Sequence, residues 1–260
     1  MTSHYSPSKM TAPHPAWPWP DRIAHRGGGT LAPENTLAAV RAGAASGFRM
    51  VEFDVKLSVD GIPFLLHDDD VARTSNGRGL ASTLTWADLG QMDFGSWHSP
   101  EFAGEPAPAL YAVARYALAQ GLHCNIEIKP ETGFDARTGQ VVAAAARQWW
   151  AGAGLPPLLS SFSETALMAA REAAPELPRA LLIDGPVPAD WRTRVHRVGA
   201  IGLNLSDEHA DAATLRRILA AGATVAVWTI NDAARASEVL SWGCQAVFTD
   251  ALHALRTPLG

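Results

Sequence analysis

Seven residues have the side chains needed to hold a cation and an anion together and to move protons between them: His25, Arg26, Glu52, Asp54, His67, Glu127 and Lys129. Glu52 and Asp54 fall two apart in "VEFD", and Glu127 and Lys129 two apart in "IEIK". In a β-strand that spacing puts both members of each pair on one face. Glu52, Asp54 and Glu127 would make an oxygen-rich site for one hard divalent cation, Mg²⁺ or Ca²⁺, since no cysteine accompanies them to indicate a softer metal. Without a cation, clustered carboxylates repel one another and their pKa values rise. The plainer alternative is that each is salt-bridged, Glu127 to its neighbour Lys129 for example. Arg26 offers a planar fork that matches phosphate oxygens and Lys129 a point charge, so the two describe an anion site beside the cation. His25 and His67 titrate near neutrality when unperturbed, which suits one to take a proton and the other to give one.

Such a set works only if separate segments converge, and the chain has the pattern for it. Eight β-like runs recur at 22–26, 50–54, 123–129, 157–162, 179–183, 200–205, 224–230 and 245–250. Amphipathic segments such as "ENTLAAVRAGAASG" and "AARASEVLSWG" lie between them, ending in glycines that suit helix C-caps. Alternation of strand and helix at this length predicts a (β/α)8 TIM barrel, whose chemistry gathers at the C-terminal ends of the strands. A census of polar residues at those ends returns the same seven together with Trp228.

One run breaks the repeat. "IPFLLH", 62–67, follows Asp54 too closely for a parallel crossover, so it reads as the returning arm of a β-hairpin. A two-residue turn at Asp60-Gly61 would pair Val59 with Ile62 and, counting outward, Asp54 with His67. Residues 70–115 show turn residues and aromatics but no repeat, and read as a loop-rich insertion after strand two, either a lid or binding loop or an irregular packing appendage.

Composition narrows the function classes. Over 260 residues the chain is 47% hydrophobic and 18% charged, the balance of a globular protein, and one barrel domain over 21–260 accounts for its length. The net charge of −5, with scattered basic residues, lacks the footprint of a nucleic-acid binder. No apolar run approaches the roughly 20 residues of a membrane span. The first twenty residues, rich in proline, read as an irregular lead-in without a signal-peptide pattern, so a cytoplasmic location is expected. Cys124 and Cys244 have no metal-ligand spacing and read as core fillers. "RGGG", 26–29, lacks the GxGxxG spacing of a dinucleotide fingerprint, and its glycines read as a close backbone approach to a ligand. "SSFS", 160–163, lacks a nucleophile elbow.

Taken in order, "AHRGG…APENT" (24–36), "VEFDVKLSVDGIPFLLHD" (51–68), "RTSNGRG" (73–79), "FGSWHSPEFAGEPAPAL" (94–110), "NIEIK" (125–129), "SSF" (160–162), "VAVWTIN" (225–231) and "AVFTDAL" (246–252) resemble the glycerophosphodiester phosphodiesterases, relatives in barrel architecture of phosphatidylinositol-specific phospholipase C. The resemblance implies hydrolysis of a small-molecule glycerophosphodiester, such as glycerophosphocholine or glycerophosphoethanolamine, to sn-glycerol 3-phosphate and an alcohol. It implies metal ligation by Glu52, Asp54 and Glu127, acid-base work by His25 and His67, phosphate contact by Arg26 and Lys129, and a glycerol-side wall from Trp228. Glu34 of the APENT motif would be metal-linked or a helix N-terminal charge. The chain departs from the family in the insertion, where "PALYAVARYA" replaces the usual acidic residues. The competing readings are a phospholipase D- or lyase-like enzyme on lipid head groups and a non-catalytic barrel that binds phosphodiesters.

Overall fold

A computed structural model describes residues 17–255. Most of the proline-rich lead-in, residues 1–16, lies outside the described residues.

Eight strands run parallel and close on themselves: β1 (Arg22–Ala24), β2 (Met50–Leu57), β4 (His123–Ile128), β5 (Leu158–Ser161), β6 (Arg179–Ile183), β7 (Gly202–Ser206), β8 (Thr224–Trp228) and β9 (Ala246–Thr249). The antiparallel β3 (Pro63–Leu65) hangs on β2. Around the ring the order is β1, β2, β4, β5, β6, β7, β8, β9, and β1 pairs with both β2 and β9. This is the expected (β/α)8 barrel. Helices α1 (Leu37–Ala45), α3 (Leu110–Gln120), α4 (Asp135–Trp149), α5 (Glu164–Ala173), α6 (Trp191–Val198), α7 (Ala212–Leu219), α8 (Ala233–Ser241) and α9 (Leu252–Leu255) follow the strands, with a short α2 (Trp86–Leu89) in the insertion.

The helix starts are written locally. Thr36, Ser163, Asp211 and Asp232 each accept a backbone N–H of the first turn, satisfying donors that would otherwise be orphaned. Gly121 and Gly199 end α3 and α6 in the left-handed conformation. Strand alternation then sorts the side chains. Val51, Phe53, Val55, Ile126, Ile128, Leu181 and Leu203 pack outward with the helices. The inward positions form an apolar floor of Ile23, Met50, Leu158, Ala180, Ala226 and Ala246. Above that floor the inward residues turn polar, and the site begins.

Two tryptophans of the lead-in complete the floor. Trp17 and Trp19 are buried against it, edge to face with ring centroids 5.2 Å apart, and Trp19 Nε1 donates to the Pro156 carbonyl at 3.1 Å. The end of the segment read as irregular therefore plugs the lower mouth of the barrel.

The hairpin forms, with its register one residue away from expectation. Leu57 pairs with Pro63, Lys56 with Phe64 and Val55 with Leu65. Leu66 N donates to the Asp54 carbonyl at 3.1 Å, so Asp54 faces Leu66 rather than His67. The reason lies in the turn. Ser58 N donates to the Ile62 carbonyl, leaving Val59, Asp60 and Gly61 as a three-residue loop that ends at φ +84° on Gly61. Ser58 and Asp60 hold it together, since Ser58 Oγ donates to Asp60 Oδ1 at 2.6 Å.

The insertion rides on this hairpin. Phe64 and Leu66 bury with Val71, Ala81, Leu89, Phe94 and Ala107 in a small core of their own. Helix α3 opens at Leu110, so residues 110–115, read as insertion, belong to the barrel's helical ring.

Replacing Trp19 by alanine should cost about 3–5 kcal/mol, the usual price of a buried aromatic. Denaturant unfolding measures it, and a loss under about 1 kcal/mol would show that the plug does not brace the barrel.

Candidate active site

The upper mouth of the barrel opens into a cleft of about 290 Å³ lined by His25, Arg26, Glu52, Asp54, His67, Glu127, Lys129 and Trp228. All eight residues singled out from the sequence meet there. Asp54 and Glu127 are direct neighbours in the β2–β4 register, and Glu52 lies one inward position below Asp54. Carboxylate oxygens of Glu52, Asp54 and Glu127 lie within 4.8 Å of one another, and all three residues are buried. Among the described residues Glu52 Oε1 has no hydrogen-bond partner. An orphaned buried carboxylate oxygen inside an all-oxygen cluster fits a hard divalent cation.

The cluster is also partly paired. Lys129 Nζ reaches Glu127 Oε1 at 2.9 Å and Asp54 Oδ1 at 3.3 Å, so the salt-bridge alternative is realised alongside the cluster. Asn35 clamps Asp54 from both sides, donating Nδ2 to Oδ2 at 2.7 Å and accepting the Asp54 N–H at 2.9 Å.

These partners set the protonation of the cluster. Burial and the charge of Asp54 push Glu52 up to about 8. Burial and Asp54 likewise push Glu127 up to about 7 against the pull of Lys129. Asp54 goes the other way: burial would raise it, but Lys129, His67, Arg26 and the Asn35 hydrogen bond together hold it well below the ordinary carboxylate range.

Each histidine is held by its own carboxylate. His25 Nδ1 shares a 2.7 Å hydrogen bond with Asp250 Oδ1, and His25 Nε2 lies 3.9 Å from Glu52. Burial would lower the His25 pKa, but the Asp250 hydrogen bond and the charges of Glu52 and Asp250 outweigh it and raise it. His67 Nδ1 bonds Asp68 at 2.8 Å. Burial lowers the His67 pKa, helped by Lys129 and Arg26, and the opposing charge of Asp54 does not compensate. Two like residues in one cleft are thus shifted in opposite directions.

Arg26 turns sharply at the end of β1, at φ +50°, a strained backbone for a residue with a side chain. The turn aims its N–H at Glu52 Oε2, 2.9 Å away, and its Nη1 at Glu34 Oε1, 2.7 Å away. Its Nε finds no hydrogen bond among the described residues and lies 3.8 Å from Asp54. The close approach that the following glycines visibly serve is to the protein's own backbone. A Cβ on Gly29 would sit 2.2 Å from the Asp250 carbonyl oxygen, and one on Gly28 would sit 2.7 Å from that of Ala39. They let the loop pack under α1 and against the end of β9.

Four supporting residues carried no assigned role in the sequence analysis. Asp250 stands at the end of the last strand run and was open to the strand-end census; Asp68 adjoins His67. Arg73, from the insertion, bonds Asp68 through Nε at 2.6 Å and Glu34 through Nη1 and Nη2 at 2.8 Å each. Glu34 therefore bridges Arg26 to Arg73 and stays outside the carboxylate cluster. Asn35, at φ +59°, has no periodic signal at all.

Phe162 and Trp228 stand edge to face across the other side of the cleft, with centroids 5.7 Å apart, and Lys129 Nζ lies 5.6 Å from the Phe162 ring. Among the described residues no helix is long and apolar enough to cross a membrane.

Comparison with known proteins identifies the family. Residues 25–254 match the family model described as the glycerophosphoryl diester phosphodiesterase family. The Bacillus subtilis protein YhdW is 30% identical over 88% of this chain and 93% of its own. The glycerophosphodiester phosphodiesterase of Bacillus subtilis is 27% identical over 89% of this chain and 84% of its own. Among solved structures, a phosphodiesterase of Oleispira antarctica in complex with its product sn-glycerol-3-phosphate superposes with a TM-score of 0.86 at 36% identity, covering 90% of this chain and 94% of that one. The chain belongs to the glycerophosphoryl diester phosphodiesterase family of enzymes.

Proposed function

We propose that the protein hydrolyses glycerophosphodiesters, such as glycerophosphocholine or glycerophosphoethanolamine, to sn-glycerol 3-phosphate and an alcohol, with one divalent cation, Mg²⁺ or Ca²⁺, held by Glu52, Asp54 and Glu127. The observation that carries the reading is the meeting in one cleft of two carboxylate-backed histidines, two cationic side chains and a buried carboxylate triad. The product held by the similar Oleispira enzyme supports the substrate class.

Arg26 and Lys129 lie beside the triad, where they would grip the phosphoryl oxygens and stabilise the charge that develops on them. When bound, the cation supplies Lewis-acid polarisation of the phosphoryl group. One histidine removes the proton of the attacking hydroxyl and the other gives a proton to the departing alkoxide oxygen as its bond to phosphorus breaks. Asp250 and Asp68 orient the two rings through Nδ1, leaving Nε2 of each for the substrate. The same arrangement serves attack by water or by the substrate's own glycerol 2-hydroxyl. Trp228 walls the glycerol side of the cleft.

The direct test is release of glycerol 3-phosphate from glycerophosphocholine with added Mg²⁺ or Ca²⁺, with and without EDTA. We expect release that EDTA abolishes; no release with either metal would sink the proposal, and release indifferent to chelation would remove the cation from it. Replacing His25 or His67 by alanine should lower kcat by about 10²–10⁴-fold. Wild-type turnover in either variant would strip that histidine of its role.

The cluster's electrostatics give an independent check. Glu52 and Glu127 hold protons in the folded, cation-free protein up to about 8 and about 7, against 4.5 for a free glutamate. The folded state thus binds more protons than the unfolded one across that window, and cation-free stability falls as pH rises through it. Thermal melting should show Glu52→Gln more stable than wild type at pH 8 without cation, with the gap closed near pH 5. A variant that melts lower than wild type at pH 8 would contradict the repulsion on which the cation site rests.

A further inference from the structure

Asn204 lies on β7, level with Leu182 of β6 and Ala226 of β8, and it lines the cleft. In the ring of strands β7 stands opposite β2, the strand that carries Glu52 and Asp54. Asn204 is 1% exposed, yet among the described residues neither Oδ1 nor Nδ2 has a hydrogen-bond partner. A buried polar group left this way is destabilising, and Asn204 carries two. Its surroundings offer no relief. Leu182, Phe162 and Phe248 are apolar, and the Trp228 indole N–H is already given to the Asn204 backbone carbonyl at 3.3 Å. Farther round the ring, Asn125 of β4 gives its Nδ2 to Ser160 Oγ of β5 at 2.8 Å, and only its Oδ1 is left over, so Asn204 alone of the two amides has both a donor and an acceptor to offer.

The unused pair defines what would fit. A side-chain amide presents a donor and an acceptor side by side. A phosphate oxygen would satisfy only Nδ2, an ammonium head group only Oδ1, and a quaternary ammonium neither. Two hydroxyls on adjacent carbons satisfy both, because each hydroxyl can give one hydrogen bond and accept another. Among the other residues lining the cleft, Leu182, Phe162 and Phe248 suit the carbon chain between them, alongside the polar Asp184 and Thr229.

We propose that Asn204 is a specificity residue that binds the vicinal hydroxyls of the substrate's glycerol unit, on the side of the cleft opposite the carboxylate triad. The inference rests on the reading of the protein as a glycerophosphodiester hydrolase and adds the residue by which it recognises glycerol. A site built around a hydroxyl rejects analogues that lack it, since the amide is then left unpaired against the ligand.

Binding rather than turnover tests it. Calorimetry of the cation-loaded protein would compare glycerol 3-phosphate with propyl phosphate, which keeps the phosphate and chain and lacks both hydroxyls. Wild type should prefer glycerol 3-phosphate by roughly 100-fold, and Asn204→Leu should cut that ratio at least about 10-fold while leaving propyl phosphate affinity within about 2-fold. Leucine is close in shape and removes a buried unsatisfied amide, so the melting temperature should hold or rise. If Asn204→Leu does not fold, Asn204→Ser carries the same ratio test. An unchanged ratio, or equal loss for both ligands, overturns the assignment. Failure to hydrolyse glycerophosphocholine would count against the proposed reaction and leave this binding ratio to be decided on its own.

Discussion

Mutual repulsion among three buried carboxylates is the constraint around which this molecule is organised. Glu52, Asp54 and Glu127 share one small volume at the barrel mouth, and removing such groups from water is costly unless each finds opposite charge or hydrogen bonds. The protein answers unevenly. Asp54 receives Lys129, Arg26 and both ends of Asn35 and stays ionised, whereas Glu52 and Glu127 hold protons until something more positive arrives. A site in this condition is primed for a cation, because the cation removes a penalty already present in the fold.

The same logic extends outward in a second ring of charge. Asp250 and Asp68 fix the histidines, and Arg73 and Glu34 tie Asp68 back to Arg26. Arg73 comes from the insertion, which has its own apolar core seated on the hairpin. The insertion packs as an appendage, one of the two readings its sequence left open, and it also sends one side chain into the support of the site. Individually exposed ion pairs of this kind contribute little stability. Their effect here is to restrict where His67 and Arg26 point.

Periodicity explains what the sequence made legible. Glu52, Asp54, Glu127 and Lys129 obey the two-residue rule of a strand, and strand ends of a barrel converge, so types and spacing together were enough to assemble them. His67 was found for the right reason, a hairpin, but with the wrong partner opposite it. A two-residue and a three-residue turn both accept Asp60-Gly61, and only the hydrogen bonds of Ser58 distinguish them. Because β3 stops at Leu65, the one-residue slip did not carry His67 to the other face, as it would have inside a longer ladder. Arg73, Glu34 and Asn35 act from irregular segments, where no period marks which way a side chain points. The glycines of 27–29 show a related limit: a need for close approach is visible in sequence, but the protein surface approached, the backbone of Ala39 and Asp250, is not. The lead-in tryptophans were hidden by their prolines, which argue against regular structure and say nothing about burial.

The hydrogen bond between His25 and Asp250 spans 225 positions of sequence and crosses the seam where β1 meets β9. The seam is held by backbone as well, since His25 N donates to the Thr249 carbonyl and Thr30 N to that of Asp250. One of the two histidines is thus oriented only when the last strand of the ring has docked against the first. A chain still emerging from synthesis, or a barrel opened at that seam, would keep its carboxylate triad on β2 and β4 and lack an aligned His25. In the proposed reaction, competence and closure of the ring become one event, which would make the chemistry itself a reporter of a completed barrel.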